Sequence, residues 1–235
     1  MSDKCINDAG HGGTDPGACA NGIKEKEYSL EAALYVNKRL NEHGITSGLT
    51  RPGDETLDSG PRTKRVRDSN AEFGISHHFN AGGGAGAEFI HSIFSDGEFG
   101  KLLAEEFKKA GYPVRRTFSR QGNNGKDYYF MHRETGRCNM TIVEYDFVDG
   151  PNADKLKDKA YRHGMYECVV KAVCRHEGVK YYPIKPQASK PKPNTKPEKV
   201  WYDVVIGGFD QHEIDGAFAA TKKAFPHWHM EKRKQ

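Results

Sequence analysis

The chain predicts an α/β fold, a mixed and mostly parallel sheet flanked by helices, with a small C-terminal βαβ unit appended. Three observations carry this. Strand-like and helix-like patterns alternate through residues 4–177. The helical stretches end on Gly44 and Gly111, residues suited to a left-handed C-terminal cap. Composition then changes abruptly over Pro183–Glu198, which holds five prolines and four lysines and no large apolar residue after Ile184.

In chain order, a short strand over Lys4–Asn7 runs into a Gly-rich turn. Glu25–Glu42 carries apolar residues at Leu30, Ala33, Leu34 and Leu40, a helical stripe. Ile45–Thr50 reads as a strand, Leu57–Asn70 as a polar helix, Glu72–His78 as a buried strand and Ala87–Phe94 as an alternating one. Glu98–Ala110 is a helix with Leu102, Leu103 and Phe107 on its apolar side. Ser119–Asp127, rich in Gly and Asn, reads as a mobile loop, followed by a strand at Tyr128–Met131. Met140–Tyr145, β-branched in its middle, is another strand, and Asn152–Glu177 the last long helix. These elements make a domain over residues 1–182. Residues 183–198 are a semi-rigid polyproline-like linker. Residues 199–235 read as strand Val200–Ile206, turn Gly207-Gly208, helix Gln211–Ala224 and strand Trp228–Lys232.

With 235 residues the chain can bury one medium core. No apolar run approaches the ~18 residues that cross a bilayer, and Met1–Lys4 lacks a secretory leader. The expectation is a protein made in the cytoplasm, with no membrane insertion. A net charge of +4 favours anionic polymers, and no nucleic-acid-binding motif accompanies it. The five cysteines show no CxxC pair, so reduced thiols are expected rather than a zinc–thiolate site. Cys19, near the Gly-rich turn, reads as a bystander.

The chemistry concentrates at four places. His11 stands in Asp8-Ala9-Gly10-His11-Gly12-Gly13, and Glu25 opens a helix in Gly22-Ile23-Lys24-Glu25-Lys26. His78 sits near a strand end in Ser76-His77-His78-Phe79-Asn80, and Glu144 near another in Val143-Glu144-Tyr145-Asp146-Phe147. Ligands and catalytic groups at strand ends suit an open α/β sheet. Two histidines and a carboxylate make up a catalytic zinc site with one position left for water. Taken alone, these residues point to metal-assisted hydrolysis and no further.

The four motifs, in this order, resemble the zinc-dependent N-acetylmuramoyl-L-alanine amidases of the amidase-3 type, found in bacterial cell-wall hydrolases and phage endolysins. The resemblance covers about residues 4–177, and Leu49-Thr50-Arg51 and Gly86-Ala87-Glu88 also resemble family positions. Ala9, His77 and Asp146 depart from the family's usual Pro, Ile and Gly. The resemblance implies an amidase-3, phosphorylase/hydrolase-like fold in which His11, Glu25 and His78 ligate Zn²⁺. Glu144 is then the base that takes a proton from water and returns one to the leaving amine. Adjacent strand residues face opposite sides, so His77 and His78 cannot both be ligands, and the motif's register selects His78. Glu27, the competing carboxylate, lies ~200° around the helix from Glu25. Asp146 is expected to alter substrate contacts or a nearby pKa. Arg51, Arg62 and Arg65 are candidates to pair with cleft carboxylates or substrate, with a solvated helix face the alternative for Arg65. Glu88 is a candidate brace for the metal site or an ordinary strand carboxylate. His91, His132 and His163 carry no pattern.

The implied substrate is peptidoglycan, cut between N-acetylmuramic acid and L-alanine, in the setting of a phage endolysin that reaches the wall after release. The alternatives are a zinc carboxypeptidase or endopeptidase acting on stem peptides, and a non-catalytic wall-binding protein. The C-terminal unit resembles half of a SPOR domain, a peptidoglycan-binding repeat. About 37 residues make a poor core alone, so two copies are expected to pair as a homodimer.

Overall fold

The computed structural model describes residues 3–184 and 214–224. The chain divides into two units, residues 1–183 and 184–235. The first contains a six-stranded sheet in the order β4-β1-β5-β8-β6-β7. Its strands are β1 (Cys5–Ala9), β4 (Ser47–Leu49), β5 (Phe73–Asn80), β6 (Ala87–His91), β7 (Val114–Ser119) and β8 (Asn139–Phe147). Every neighbouring pair is parallel except β6 and β8, so the sheet is mixed and mostly parallel. A two-stranded hairpin, β2 (Cys19–Ala20) and β3 (Ile23–Lys24), stands apart from it.

Period-two alternation sorts the central strands into two faces. On one, Phe73, Ile75, Phe79, Val143 and Tyr145 pack into the larger core. Helices α1 (Glu25–Glu42), α3 (Glu98–Lys109) and α6 (Lys159–His176) cover that side, supplying Val36, Leu40, Leu103, Phe107, Tyr166 and Val169 among others. On the other, Ile6, Ile90, Met140 and Ile142 form a smaller core with Val66 of α2 (Ser59–Ser69) and Met131 of α4 (Phe130–Arg133). The thinner cover on this second face leaves room for a cleft.

Two expectations are corrected. Tyr128–Met131 is not a strand: Phe130–Arg133 turns as α4, with the Arg133 amide donating to the Tyr129 carbonyl at 3.2 Å. The chain there must cap the sheet face rather than extend it, and the turn drops Met131 into the smaller core. The last helix is broken. α5 (Ala153–Lys157) ends at Asp158, whose extended backbone and side chain, accepting from the Ala160 amide at 2.9 Å, start α6 afresh. The Gly- and Asn-rich segment closes on itself, with Gln121 bridging Asp127 and the Tyr128 amide donating to the Arg120 carbonyl at 2.9 Å.

In the second unit, Ile214–Ala224 forms α7, inside the expected helix 211–224. The linker beyond Ile184, the two C-terminal strands and the Gly207-Gly208 turn lie outside the described residues. Among the described residues no helix is long and apolar enough to cross a membrane.

The floor of the second face is a buried ion pair. Asp8, fully enclosed, accepts from Arg62 at 2.8 Å, Thr50 at 2.6 Å and Ser76 at 2.6 Å. Burial alone would raise its carboxyl pKa; Arg62 and the two hydroxyls overcome that and hold it below the ordinary value. Removing one partner strands the other charge. Arg62→Met is therefore expected to cost about 3–5 kcal/mol in urea unfolding, and a loss below about 1 kcal/mol would show that Thr50 and Ser76 suffice for Asp8.

Candidate metal centre

The ends of three parallel strands converge here. Ala9 pairs in register with His77, and His78 with Glu144, so His11 lies just past β1 while His78 and Glu144 stand side by side near the ends of β5 and β8. A register shift follows His78, between His78 and Asn80. Glu25 is the first residue of α1, where the helix N-terminus favours a carboxylate.

Glu25 joins the two histidines. One oxygen meets His78 Nδ1 at 2.9 Å and accepts from the Phe79 amide at 3.0 Å. The other meets His11 Nε2 at 3.1 Å and accepts from the Ala18 amide at 2.8 Å. One ligand atom from each of His11, Glu25 and His78 lies within 4.8 Å of the others. Two imidazole nitrogens and one carboxylate oxygen, so gathered, fit a divalent zinc ion with one open position. Glu27 turns outward, 3.6 Å from Lys24 and 58% exposed.

Small residues make this closeness possible. A Cβ on Gly10 would fall 2.3 Å from the His78 ring, and one on Gly17 2.6 Å from Glu25 and 2.7 Å from His11. His11 itself adopts φ 58°, a left-handed conformation that costs a non-glycine residue about 1–2 kcal/mol. Two arginines hold that turn. Arg62 donates to the Ala9, His11 and Leu57 carbonyls, and Arg51 to those of Ala9, Gly10, Lys26 and Gly53. The expectation that Arg51 contacts substrate is corrected: its donors are occupied by the loop it supports. Arg62 does pair with a cleft carboxylate, Asp8. Arg65 forks onto Glu55 at the surface.

Charge balance in the metal-free centre is set by Glu25. Burial opposes its ionisation, but hydrogen bonds from His11 and His78 hold its carboxyl well below the usual range. Burial pulls His78 down, and Glu25 more than reverses this, raising it to about 9. Glu144 behaves oppositely. Its Oε2 is shut from solvent with no hydrogen-bond partner, and burial pushes its carboxyl up to about 7. It borders a cleft of about 290 Å³ with His11, His78, Leu57, Tyr129 and Phe130.

His77 lies on the opposite face, fully buried between the Tyr145 hydroxyl at 2.8 Å and Asn7 Oδ1 at 3.0 Å. Burial lowers it to about 3, which keeps it neutral. Asp146 is a structural acceptor, taking hydrogen bonds from the Gly86 and Phe147 amides and from Asn152, rather than a cleft group. Glu88 does not brace the ligands directly: it binds Asn80, Arg115 and Arg116, although it is Glu144's register partner on β6. His91, His132 and His163 lie outside the cluster of ligand atoms, and all five cysteines are free, with only Cys19 exposed.

Sequence reasoning passed over Asp15. Its Oδ2 meets His11 Nδ1 at 2.8 Å, while Oδ1 accepts from the Gly17 amide at 3.0 Å. A carboxylate on the far nitrogen fixes the tautomer and makes the near one a better ligand. The signal was present, an acid four residues after a histidine within one turn. Asp15→Ala is expected to lower zinc affinity about 10-fold or more, measured by competition with a fluorescent chelator, and unchanged affinity would refute that role.

The model of the Amidase_3 family, N-acetylmuramoyl-L-alanine amidase, matches residues 6–175. The N-acetylmuramoyl-L-alanine amidase CwlM of Bacillus licheniformis is 34% identical over 164 residues, 67% of this chain and 62% of CwlM, so the chain spans less than two thirds of that relative. The endolysin of Bacillus phage SPP1 is 40% identical over 83 residues, 34% of this chain and 31% of the endolysin. The catalytic domain of CwlV, an amidase of Bacillus (Paenibacillus) polymyxa var. colistinus, shares the fold with a TM-score of 0.67 at 24% identity, covering 77% of this chain and 100% of that one. From its matched family model, this chain belongs to the N-acetylmuramoyl-L-alanine amidase family.

Proposed function

We propose that this chain is a zinc-dependent amidase that hydrolyses the bond between the lactyl group of N-acetylmuramic acid and L-alanine in peptidoglycan. The observation that carries the reading is the convergence of His11, Glu25 and His78 beside Glu144, whose Oε2 is buried without a hydrogen-bond partner. His11, Glu25 and His78 would hold zinc, which when bound would supply Lewis acidity towards water and an amide carbonyl. Glu144 takes the proton of the attacking water and delivers one to the leaving amine. A carboxyl poised near neutrality suits both transfers, because neither its acid nor its base form is far away in energy. Tyr129, Phe130 and Leu57 line the cleft and limit water around the reacting bond.

Similarity to the SPP1 endolysin supports a phage-lysis setting, with synthesis in the host cytoplasm and action on the wall after release. The C-terminal unit is read as a wall-targeting module that pairs with a second copy. Deleting the residues after Tyr182 tests this: turnover of soluble fragments is retained, and lysis of whole walls falls.

Digestion of purified peptidoglycan is expected to release stem peptides with a free L-alanine N-terminus, and a chelator is expected to stop it. Shorter peptides in the mass spectrum would instead indicate a peptidase. Because the base must be ionised, kcat/KM is expected to rise with pH and level off above an apparent pKa no higher than about 7, the bound cation drawing it below the metal-free value. Glu144→Gln is expected to flatten that limb and lower kcat by about 10²-fold or more. An unchanged pH profile would remove Glu144 as the base.

A further inference from the structure

A second cavity of about 560 Å³ opens on the other side of Glu144 and shares Glu144 and Tyr129 with the metal cleft. Its character differs. Arg115, Arg116 and Arg120 all line it, from β7 and the residue that follows. Arg115 lies over the Phe147 ring at 5.3 Å, Arg116 over Phe118 at 4.0 Å and Arg120 over Tyr128 at 3.7 Å. Each guanidinium thus lies over an aromatic face, which reduces the freedom lost on binding.

The local charge does not balance. Arg115 and Arg116 share a single carboxylate oxygen of Glu88, at 2.7 and 2.9 Å, and each stays about half exposed. Arg120 has no carboxylate partner among the described residues. Glu144, shared with the metal cleft, is the other acid on the wall. Three cations therefore face two carboxylates across an open cavity, and Arg120 is paired with neither, an arrangement that selects a ligand with carboxylates of its own.

We propose that this groove binds the stem peptide and that Arg115, Arg116 and Arg120 recognise its free carboxylates. The proposal rests on the amidase reading and orients the substrate within it. The carbonyl to be attacked must lie at the metal ligands, and the leaving amine must reach Glu144. Glu144 forms the wall between the two cavities, so the chain beyond the amine continues into the arginine groove while the glycan remains on the side of His11 and Leu57. Peptide carboxylates within a few residues of the scissile bond then meet the guanidiniums.

Two substrates decide the matter, N-acetylmuramoyl-L-alanyl-D-isoglutamyl-L-lysine and its D-isoglutaminyl counterpart, which differ only by carboxylate against carboxamide. The zinc-loaded full chain is expected to prefer the acid by about ten-fold in kcat/KM, the scale of one charge-assisted pair. Arg120→Gln, and separately the double substitution Arg115→Gln with Arg116→Gln, are expected to bring that ratio near one, while Arg120→Lys keeps part of it. Cleavage of both substrates without preference, or a preference the variants leave intact, overturns the groove and leaves the amidase standing. Cleavage of neither overturns both. Arg120-dependent inhibition by poly(glycerol phosphate), without any acid preference, would reassign the groove to a wall phosphate polymer.

Discussion

The site depends on holding one turn in a conformation it would not keep alone. His11 carries a left-handed backbone, and its ring meets Glu25 only because of it. Arg62 and Arg51 fix the turn from beneath through the carbonyls of Ala9, Gly10 and His11, and Lys26 fixes it from the side, bonded to the Gly13 carbonyl at 2.8 Å and to Asp54 at 2.7 Å. Two buried guanidiniums are tolerable only because Asp8 is ionised under one of them and backbone oxygens satisfy both. The geometry of the centre thus reaches the sheet through Asp8, which also accepts from Thr50, just past β4, and Ser76 of β5.

The second organising constraint is the pleat. His77 and His78 are adjacent and chemically identical, yet the strand sends one to an apolar face and one to a polar cleft. Their surroundings push their protonation in opposite directions, to about 3 and about 9. The same alternation separates Glu144 from Tyr145, and the Tyr145 hydroxyl is what His77 needs as a partner. A one-residue slip of β5 would exchange the two histidines and destroy both environments at once.

Much of this was legible in the chain. Helices α1 and α3 were marked by apolar stripes and glycine stops, and His11, Glu25, His78 and Glu144 by ordered motifs that strand ends and a helix start bring together. Three kinds of feature were not. Strand β7, Val-Arg-Arg-Thr-Phe-Ser, lies at the sheet edge with no buried residue, so it lacks the apolar pattern that marks a strand. The aromatic run at Tyr128–Met131 has strand propensity, which tertiary need overrode to cover the smaller core. The employment of Arg51, Arg62 and Asp15 depends on backbone carbonyls and turn geometry, which residue type does not encode.

Glu144 unites these points. The two proton transfers proposed for it call for an acid without an ionic or hydrogen-bonding partner. β8 provides this by placing it beside His78 on one strand and Glu88 on the next, with no donor to Oε2. Glu88, the register partner on β6, is not a second unpaired acid. Instead Arg115, Arg116 and Asn80 saturate it. The arginines on β7 therefore do more than line a groove: they hold the Glu88 carboxylate in place beside Glu144, where its charge helps raise the Glu144 carboxyl pKa. The unpaired acid at the metal cleft and the cationic character of the adjoining cavity then follow from one arrangement of charges on three neighbouring strands.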